Sequence, residues 1–351
     1  MLYRCELKKS LVTHRGMLIL ALCLIMKLVL FCVIPEQKDP RILLSQKQYD
    51  KYLAQLYGEN TPEKSNWILA EYEKCRQIKE NQELMQAKYS RGELSEAQWS
   101  AYAEQLRLAE LQINSAKIFA EKAEQFLQQP EGLPPSHFIY EYGWQTVFTL
   151  LQFPDIFLLF GLLLLTAQSF CAEAAIGMLP VLLSAKNGRQ QLYNAKLFSL
   201  LTVSVMGSLA SSGLELCVFS LRGWCSDAAA PLYSVTVLTD CTLPLSLGQG
   251  LALCLAVRLL VVMFLTAMLF GMSVWTRSAT NLGFLGMCLL LLPLLWNSAG
   301  ILYTHGGLLS GTRMLLHVGN SPGSLLLPLA VVMVYSASIA VLAAKRHCRG
   351  L

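Results

Sequence analysis

The chain has 351 residues, of which 54% are hydrophobic and only 15% are charged, and its formal net charge is +5. A soluble globular protein carries about one quarter charged residues, so this composition excludes an ordinary soluble domain. The positive charge belongs to the apolar part of the chain, since residues 35–144 hold 13 Lys and Arg against 17 Asp and Glu, and nothing in the pattern points to nucleic acid.

Long apolar runs dominate the chain. Runs of about 18 or more mostly apolar residues are typical of transmembrane helices. Six such runs occur, at residues 17–34, 153–172, 197–221, 247–275, 282–303 and 324–344. The first follows basic residues, but no small-x-small cleavage site comes after it, so we expect an uncleaved helix. The sequence therefore predicts an all-α polytopic membrane protein with six transmembrane helices.

The Lys and Arg residues beside these runs predict the orientation, because they are enriched in short cytoplasmic loops. If the N-terminus is cytoplasmic, the segments on that side hold eleven of them, whereas the short loops outside hold only Arg222 and Arg313. We therefore expect a multi-pass plasma-membrane protein with both termini in the cytoplasm. The compact layout favours a bacterial source.

The polar region 35–144 is predicted to lie outside the cell as a helical hairpin inserted between transmembrane helices 1 and 2. Gly92 suits the end of one helix, and Ser95 suits the N-cap of the next. Two rows at heptad spacing in that second helix predict a coiled coil; they are Trp99, Leu106, Ile113, Ala120 and Leu127, and Tyr102, Ala109, Ala116 and Ala123. A shorter helix is expected near residues 45–57. The hairpin is interpreted either as a spacer or dimer stalk, or as a gate or docking site for another extracytoplasmic protein.

The predicted organisation therefore has three parts. Residues 1–34 form a cytoplasmic interfacial helix and transmembrane helix 1, and residues 35–144 form the outer hairpin. Residues 145–351 form transmembrane helices 2–6, with a cytoplasmic segment at 173–196.

Three charged residues fall inside predicted spans, namely Lys27, Glu215 and Arg258. Such residues usually face the bundle interior and pair with one another. One interpretation is structural ion pairing, of Lys27 with Glu215 or of Arg258 with Glu215. The other is a polar lining for a substrate path or a proton relay.

Neither the cysteines nor the histidines show metal-ligand spacing, and the sequence has no phosphate-binding loop and no recognisable nucleophile–base set. We therefore predict no catalytic residue, no metal site, no cofactor bound by this chain and no enzymatic activity of its own. Cys225 and Cys241 fall in one predicted outer loop, where a disulfide is possible in an oxidising exterior.

The segment 173–196 lies between two apolar runs, with Asn187-Gly188 at its turn; its other marked positions are Glu173, Gly177, Ser184, Lys186, Arg189 and Lys196. This arrangement resembles the permease subunit of ABC transporters of the type-2 exporter family, although the segment lacks the proline that many relatives carry after the Ser. The resemblance implies a coupling helix that docks on a separate cytoplasmic ATPase, which binds ATP and Mg. It also implies a second permease subunit, identical or a sister chain, and export of an amphipathic, lipid-like or peptide substrate.

Three alternatives remain open from the sequence. The basic segment 173–196 is also typical of a plain cytoplasmic loop whose Lys and Arg only set the topology. The intramembrane charges are compatible with an ion-gradient-driven secondary transporter. A membrane-anchored sensor or scaffold would use the outer hairpin to bind a partner.

Overall fold

The computed structural model describes residues 2–13, 15–43, 45–127, 134–175, 188–276, 278–291, 303–317 and 322–349. The structure is about 82% helical, which confirms the all-α prediction. The chain divides into two compact units. The first unit comprises Met1–Pro35, Val147–Cys225 and Gly248–Leu351, and the second comprises Glu36–Thr146 and Ser226–Leu247.

The α-helices in the described residues are, in chain order, α1 (Leu2–Lys8), α2 (Gly16–Val33), α3 (Pro40–Leu43), α4 (Gln46–Leu56), α5 (Pro62–Glu80), α6 (Gln82–Ser90), α7 (Glu96–Leu127), α8 (Tyr142–Leu150), α9 (Ile156–Ala175), α10 (Gly188–Leu221), α11 (Leu247–Thr276), α12 (Ala279–Leu291), α13 (His305–Leu309), α14 (Gly311–His317) and α15 (Leu326–Arg349). A π-helical turn, Lys9–Thr13, follows α1. Two short strands, β1 (Gly58–Glu59) and β2 (His137–Phe138), pair antiparallel.

Four helices in the described residues are long and apolar enough to cross a membrane, and they are Gly16–Val33, Arg189–Leu221, Leu247–Thr276 and Gly323–Cys348. They coincide with the first, third, fourth and sixth predicted spans and indicate a membrane protein. The second and fifth predicted spans correspond to α9, whose apolar stretch is Ile156–Gln168, and to α12. Both border residues outside the described ranges, so the number six stays a prediction.

Close helix contacts organise the first unit. A Cβ atom placed on Gly271 of α11 would lie 3.1 Å from the carbonyl oxygen of Ile339 and 3.2 Å from Cα of Ala340 in α15. Small residues at such crossings let helix backbones approach closely in membranes. A buried cluster that includes Leu165, Tyr193 and Phe270 packs beside this crossing and joins α9, α10 and α11.

Arg222, which directly follows α10, is hydrogen-bonded to the C-terminal end of α2. The two Nη groups of Arg222 donate to the carbonyl oxygens of Ile34 and Cys32, each at 2.7 Å. The last carbonyls of a helix have no partner within the helix, so Arg222 satisfies two acceptors that α2 leaves open. The guanidinium also lies 4.9 Å from the ring centroid of Trp224, which holds it in place.

In the second unit, α5 and α7 pack along each other in opposite directions. The Tyr102 hydroxyl donates to the carbonyl of Ile78 at 2.6 Å, and the Tyr89 and Trp99 rings stack 5.0 Å apart near the turn. The residues of the second pair are closer in sequence than those of the first, as expected for antiparallel helices joined by a turn.

The turn before α7 has the chemistry predicted from the sequence. Gly92 has φ +76°, a left-handed conformation that suits glycine. The amide of Gln98 donates to Ser95 Oγ at 3.3 Å, and the Gln98 side chain accepts from the amide of Ser95 at 3.0 Å. This reciprocal pair is a capping box, so the roles predicted for Gly92 and Ser95 are confirmed.

The heptad rows predicted for α7 are buried unequally. The row of Tyr102, Ala109, Ala116 and Ala123 is buried throughout, but Leu127 in the other row is 59% exposed, and Phe119 and Phe126 are buried in its place. A straight α-helix drifts by about 20° per heptad relative to a strict seven-residue repeat. The drift moves the buried face toward the phenylalanines, so α7 gives no support for a coiled coil.

Aromatic residues form the core of the second unit. Tyr49 of α4 stacks on Phe119 of α7 with ring centroids 4.8 Å apart, and Phe138 and Tyr142 belong to the same buried cluster. Segment 226–247, which the sequence placed only as a loop, contributes Thr236. Its amide and hydroxyl donate to Glu141 at 2.9 and 2.7 Å.

The two cysteines of the possible disulfide, Cys225 and Cys241, differ in their burial, and the disulfide stays a prediction. Cys225 is half-buried and Cys241 is buried. Burial raises the pKa of Cys225 to about 11 and raises that of Cys241. The thiolate, which is the reactive form in disulfide formation, is therefore disfavoured at both positions.

Candidate functional site

The three charged residues predicted within spans meet in the first unit, together with Asp155. Lys27 Nζ donates to Glu215 Oε1 at 2.6 Å, to Ser211 Oγ at 2.5 Å and to the Asp155 carboxylate. Arg258 Nη1 donates to both Glu215 oxygens, at 2.7 and 2.9 Å. We call Lys27, Asp155, Glu215 and Arg258 the charge cluster.

Glu215 therefore bridges two cations. The ion pairs predicted with Lys27 and with Arg258 are both confirmed, and they occur at the same time. Lys27, Glu215 and Arg258 are each 4% exposed. Two cations and two anions leave the charge cluster formally neutral.

Asp155 and Ser211 were missed by the sequence analysis. Asp155 immediately precedes α9, where its carboxylate accepts from the amide of Leu158 at 3.1 Å and from the Ser211 hydroxyl. A Pro-Asp pair directly before an apolar run is typical of a helix N-terminus, and this signal would have found Asp155. Ser211 carries no such signal, because it is one of several serines in α10.

Helix geometry explains why α10 supplies two members of this site. Ser211 and Glu215 are four residues apart and so lie on one face. Gly207, one turn earlier, is also on that face, and a Cβ there would lie 3.1 Å from Leu158 and 3.3 Å from Leu20. The small residue lets α2 and α9 approach α10 beside the charged residues.

Burial of these charges is costly unless they are paired. Insertion of one Lys, Arg or Asp at the centre of a membrane helix costs about 2.5–3.5 kcal/mol. Removing one partner of a buried pair typically costs about 3–5 kcal/mol, because the other charge stays buried. The four charges of the cluster are therefore stable in the buried site only as long as each keeps its ion-pair partner. A shift of one helix would weaken several of these ion pairs together.

A cavity of about 260 Å³ adjoins the charge cluster, and all four charged residues line it. The rest of its wall is apolar and includes Leu30 and Phe31 of α2, Leu150, Phe153, and Phe219 of α10. The cavity thus combines a hydrophobic wall with a few fixed polar groups, which is the usual composition of a ligand site.

The predicted coupling segment falls mostly outside the described residues, namely Gly177, Ser184, Lys186 and Asn187, together with the side chain of Glu173. Gly188 is the first residue of α10. Arg189 Nη1 donates to the carbonyl of Cys348, near the end of α15, at 3.1 Å. Lys196 is buried, and its Nζ lies 3.6 Å from Glu6 Oε2 of α1.

Further contacts attach the N-terminal half of α10 to α15 and to α1. The Tyr193 hydroxyl donates to the carbonyl of Ala340 in α15 at 2.6 Å. The Tyr3 hydroxyl of α1 forms a hydrogen bond of 2.8 Å with Thr202 Oγ1. The end of the predicted coupling segment is therefore bonded to α1 and to α15, and the sequence analysis had given no role to Glu6 or Tyr3.

The chain matches none of the protein-family models, curated proteins or solved structures with which it was compared.

Proposed function

We propose that this chain is the transmembrane permease subunit of an ATP-driven exporter that resembles the ABC type-2 family. A separate cytoplasmic ATPase would supply the energy, and a second permease subunit would complete the transporter. The observation that carries the proposal is the attachment of Arg189 and Lys196, at the end of the coupling segment, to the first and last helices.

The helix α10 offers a direct mechanical connection between the two candidate sites. It runs unbroken for 34 residues. Lys196 and Glu215 lie 19 positions apart along it, about 28 Å at 1.5 Å per residue. A displacement of the coupling segment by the ATPase would move α10 as a rod and would reach the charge cluster. Because that cluster joins α2, α9, α10 and α11, the displacement would change the cavity beside it.

The same proposal includes the finer topology. Six spans in the plasma membrane would place both termini and the coupling segment in the cytoplasm. The second unit would then lie outside, as a helical hairpin that gates the path or docks another protein. The cargo would be amphipathic, lipid-like or a peptide, because the cavity has an apolar wall and a polar edge.

The test is a double charge reversal, Lys186→Glu with Arg189→Glu, in the chain purified from its native membrane. We expect the variant to lose the co-purifying ATPase and the MgATP hydrolysis of the complex. The matched control reverses Lys345 and Arg346, two exposed basic residues in the last turns of α15. Because Arg189 bonds to Cys348, Lys186→Glu alone is also measured. Full ATPase association and transport in the double variant would disprove the coupling role.

A second candidate function is favoured by one observation, the two buried carboxylates of Asp155 and Glu215 beside a cavity. Intramembrane carboxylates are typical of proton relays in gradient-driven carriers. Proteoliposomes that contain this chain alone, loaded with a pH-sensitive dye, distinguish the two functions. Proton flux that Glu215→Gln abolishes would support the carrier, whereas vesicles without proton flux would support the ATP-driven exporter.

A further inference from the structure

Arg258 has hydrogen-bond donors that the charge cluster does not use. A guanidinium carries five N–H donors, and Arg258 bonds to Glu215 through Nη1 only. Among the residues that the structure describes, no acceptor bonds to its Nε or Nη2. The side chain is 4% exposed and lines the 260 Å³ cavity. Neither Nε nor Nη2 is among the fully buried side-chain atoms that lack a partner, so both donors keep some accessible surface, and the cavity is the space that Arg258 borders.

Donors that border a small cavity with a mostly apolar wall have few acceptors within reach. A buried polar group without a hydrogen bond loses the free energy of its hydration, and the loss is larger for charged groups. A ligand that places an acceptor oxygen beside Arg258 would restore these bonds. The unused donors therefore define the polar end of a ligand.

The charge of the cluster limits what that acceptor is. Lys27 and Arg258 already balance Asp155 and Glu215, so an anionic ligand would leave one uncompensated negative charge in a buried site. Uncompensated buried charge is strongly unfavourable. A neutral carbonyl oxygen satisfies the same donors without a change of charge.

The remaining wall of the cavity determines the rest of the ligand. Side chains of Leu30, Phe31, Leu150, Phe153 and Phe219 surround the space. This wall suits a hydrocarbon chain and offers few partners for a polar group.

We propose that the cavity binds an acyl chain through its amide or ester carbonyl, which accepts hydrogen bonds from Nε and Nη2 of Arg258. As the cargo site of the exporter proposed above, it would make acylated molecules the substrate class. That last step rests on the proposed function, whereas the binding itself does not.

The test is direct binding to the purified full chain, without any ATPase, in nanodiscs of ether-linked phosphatidylcholine. The probe is tritiated dodecanamide, measured by scintillation proximity. Unlabelled dodecanamide is expected to displace it, and dodecanoate and dodecylammonium are expected to compete about tenfold less well or worse. The absence of saturable binding would overturn the proposal, as would dodecanoate that competes as well as the amide.

Three variants locate the site. Arg258→Lys keeps a cation for Glu215 but lacks the second N–H edge, and should weaken binding about tenfold or more. Leu30→Trp fills the cavity from the wall and leaves the charge cluster intact, and should abolish binding. Leu22→Trp is the matched control, since Leu22 is exposed on the same helix and does not line the cavity. Unchanged binding in Leu30→Trp would overturn the site even if Arg258→Lys fails to fold.

Two kinds of ligand carry such a carbonyl, namely a lipid of the bilayer and a free acylated molecule. Nanodiscs of ester-linked lipid separate them, because their own carbonyls would compete with the probe. Weaker apparent probe affinity in ester discs than in ether discs assigns the site to lipid, and equal affinity assigns it to a free acylated ligand. Failure of dodecanamide binding would leave the charge-reversal test of the coupling segment unaffected.

Discussion

Replacement of Lys27 by methionine tests how the charge cluster is held together. Lys27 is the only cation within ion-pair distance of Asp155 among the described residues, whereas Glu215 keeps its two bonds to Arg258. The variant therefore leaves one carboxylate buried without a counter-charge, with only Ser211 and the Leu158 amide as donors. Removal of one partner from a buried pair typically costs about 3–5 kcal/mol, and we expect a loss of that size in the free energy of unfolding.

A second substitution separates charge from packing. Asn at position 155 keeps an acceptor for the Leu158 amide but removes the uncompensated charge. Lys27→Met with Asp155→Asn should therefore regain at least about 2 kcal/mol relative to Lys27→Met alone. The assay is thermal unfolding in detergent, followed by tryptophan fluorescence, with Lys345→Met as an exposed control. If the single variant unfolds like the wild type, or the double variant gains nothing, the electrostatic account of this cluster is wrong.

Three further predictions concern stability at other places. Ser95→Ala removes the capping box and should cost about 1 kcal/mol, visible as faster hydrogen exchange in the first turn of α7; unchanged exchange there would contradict the cap. Gly271→Leu forces atoms against the backbone of α15 and should cost about 1–3 kcal/mol of unfolding free energy, whereas an unchanged melting temperature would show that the helices can separate there. Burial lowers the pKa of His305 to about 4, so the unfolded chain takes up a proton between pH 6.5 and 4 that the folded chain does not. Stability should therefore fall by up to about 3 kcal/mol as the pH drops through that window, and His305→Asn, followed by the same melting assay, should not show this part of the loss.

The local chemistry of individual residues was the part of this structure that the sequence could predict. Gly92 and Ser95 specify their turn through backbone freedom and a side-chain acceptor, and both act within a few residues. Lys27, Glu215 and Arg258 could be expected to pair because charged groups in apolar helices have few other stable arrangements. That Glu215 would be shared by Lys27 and Arg258 depends on how each helix is rotated about its axis, and the sequence of a single helix does not determine this.

The features that the sequence could not supply are set by tertiary packing. Asp155 sits at a helix boundary, where a polar residue is ordinary, and its pairing with Lys27 requires α2 and α9 to be neighbours. The buried face of α7 shifts from Leu127 to Phe126 because the drift of a straight helix brings the phenylalanines onto the side of the aromatic core. The docking of Thr236 on Glu141 is likewise invisible until distant segments are brought together.

The two bonds from Arg222 to the end of α2 limit how α2 and α10 can move relative to each other. Together with the Lys27–Glu215 pair, they join α2 at two levels to α10 and to Arg222, the residue that directly follows it. A pair of rods pinned twice neither twists nor slides without breaking a charged contact. Any relative movement of helices in the first unit would therefore carry α2 and α10 as one rigid body, and the hinge would lie in the contacts that this pair makes with the remaining helices.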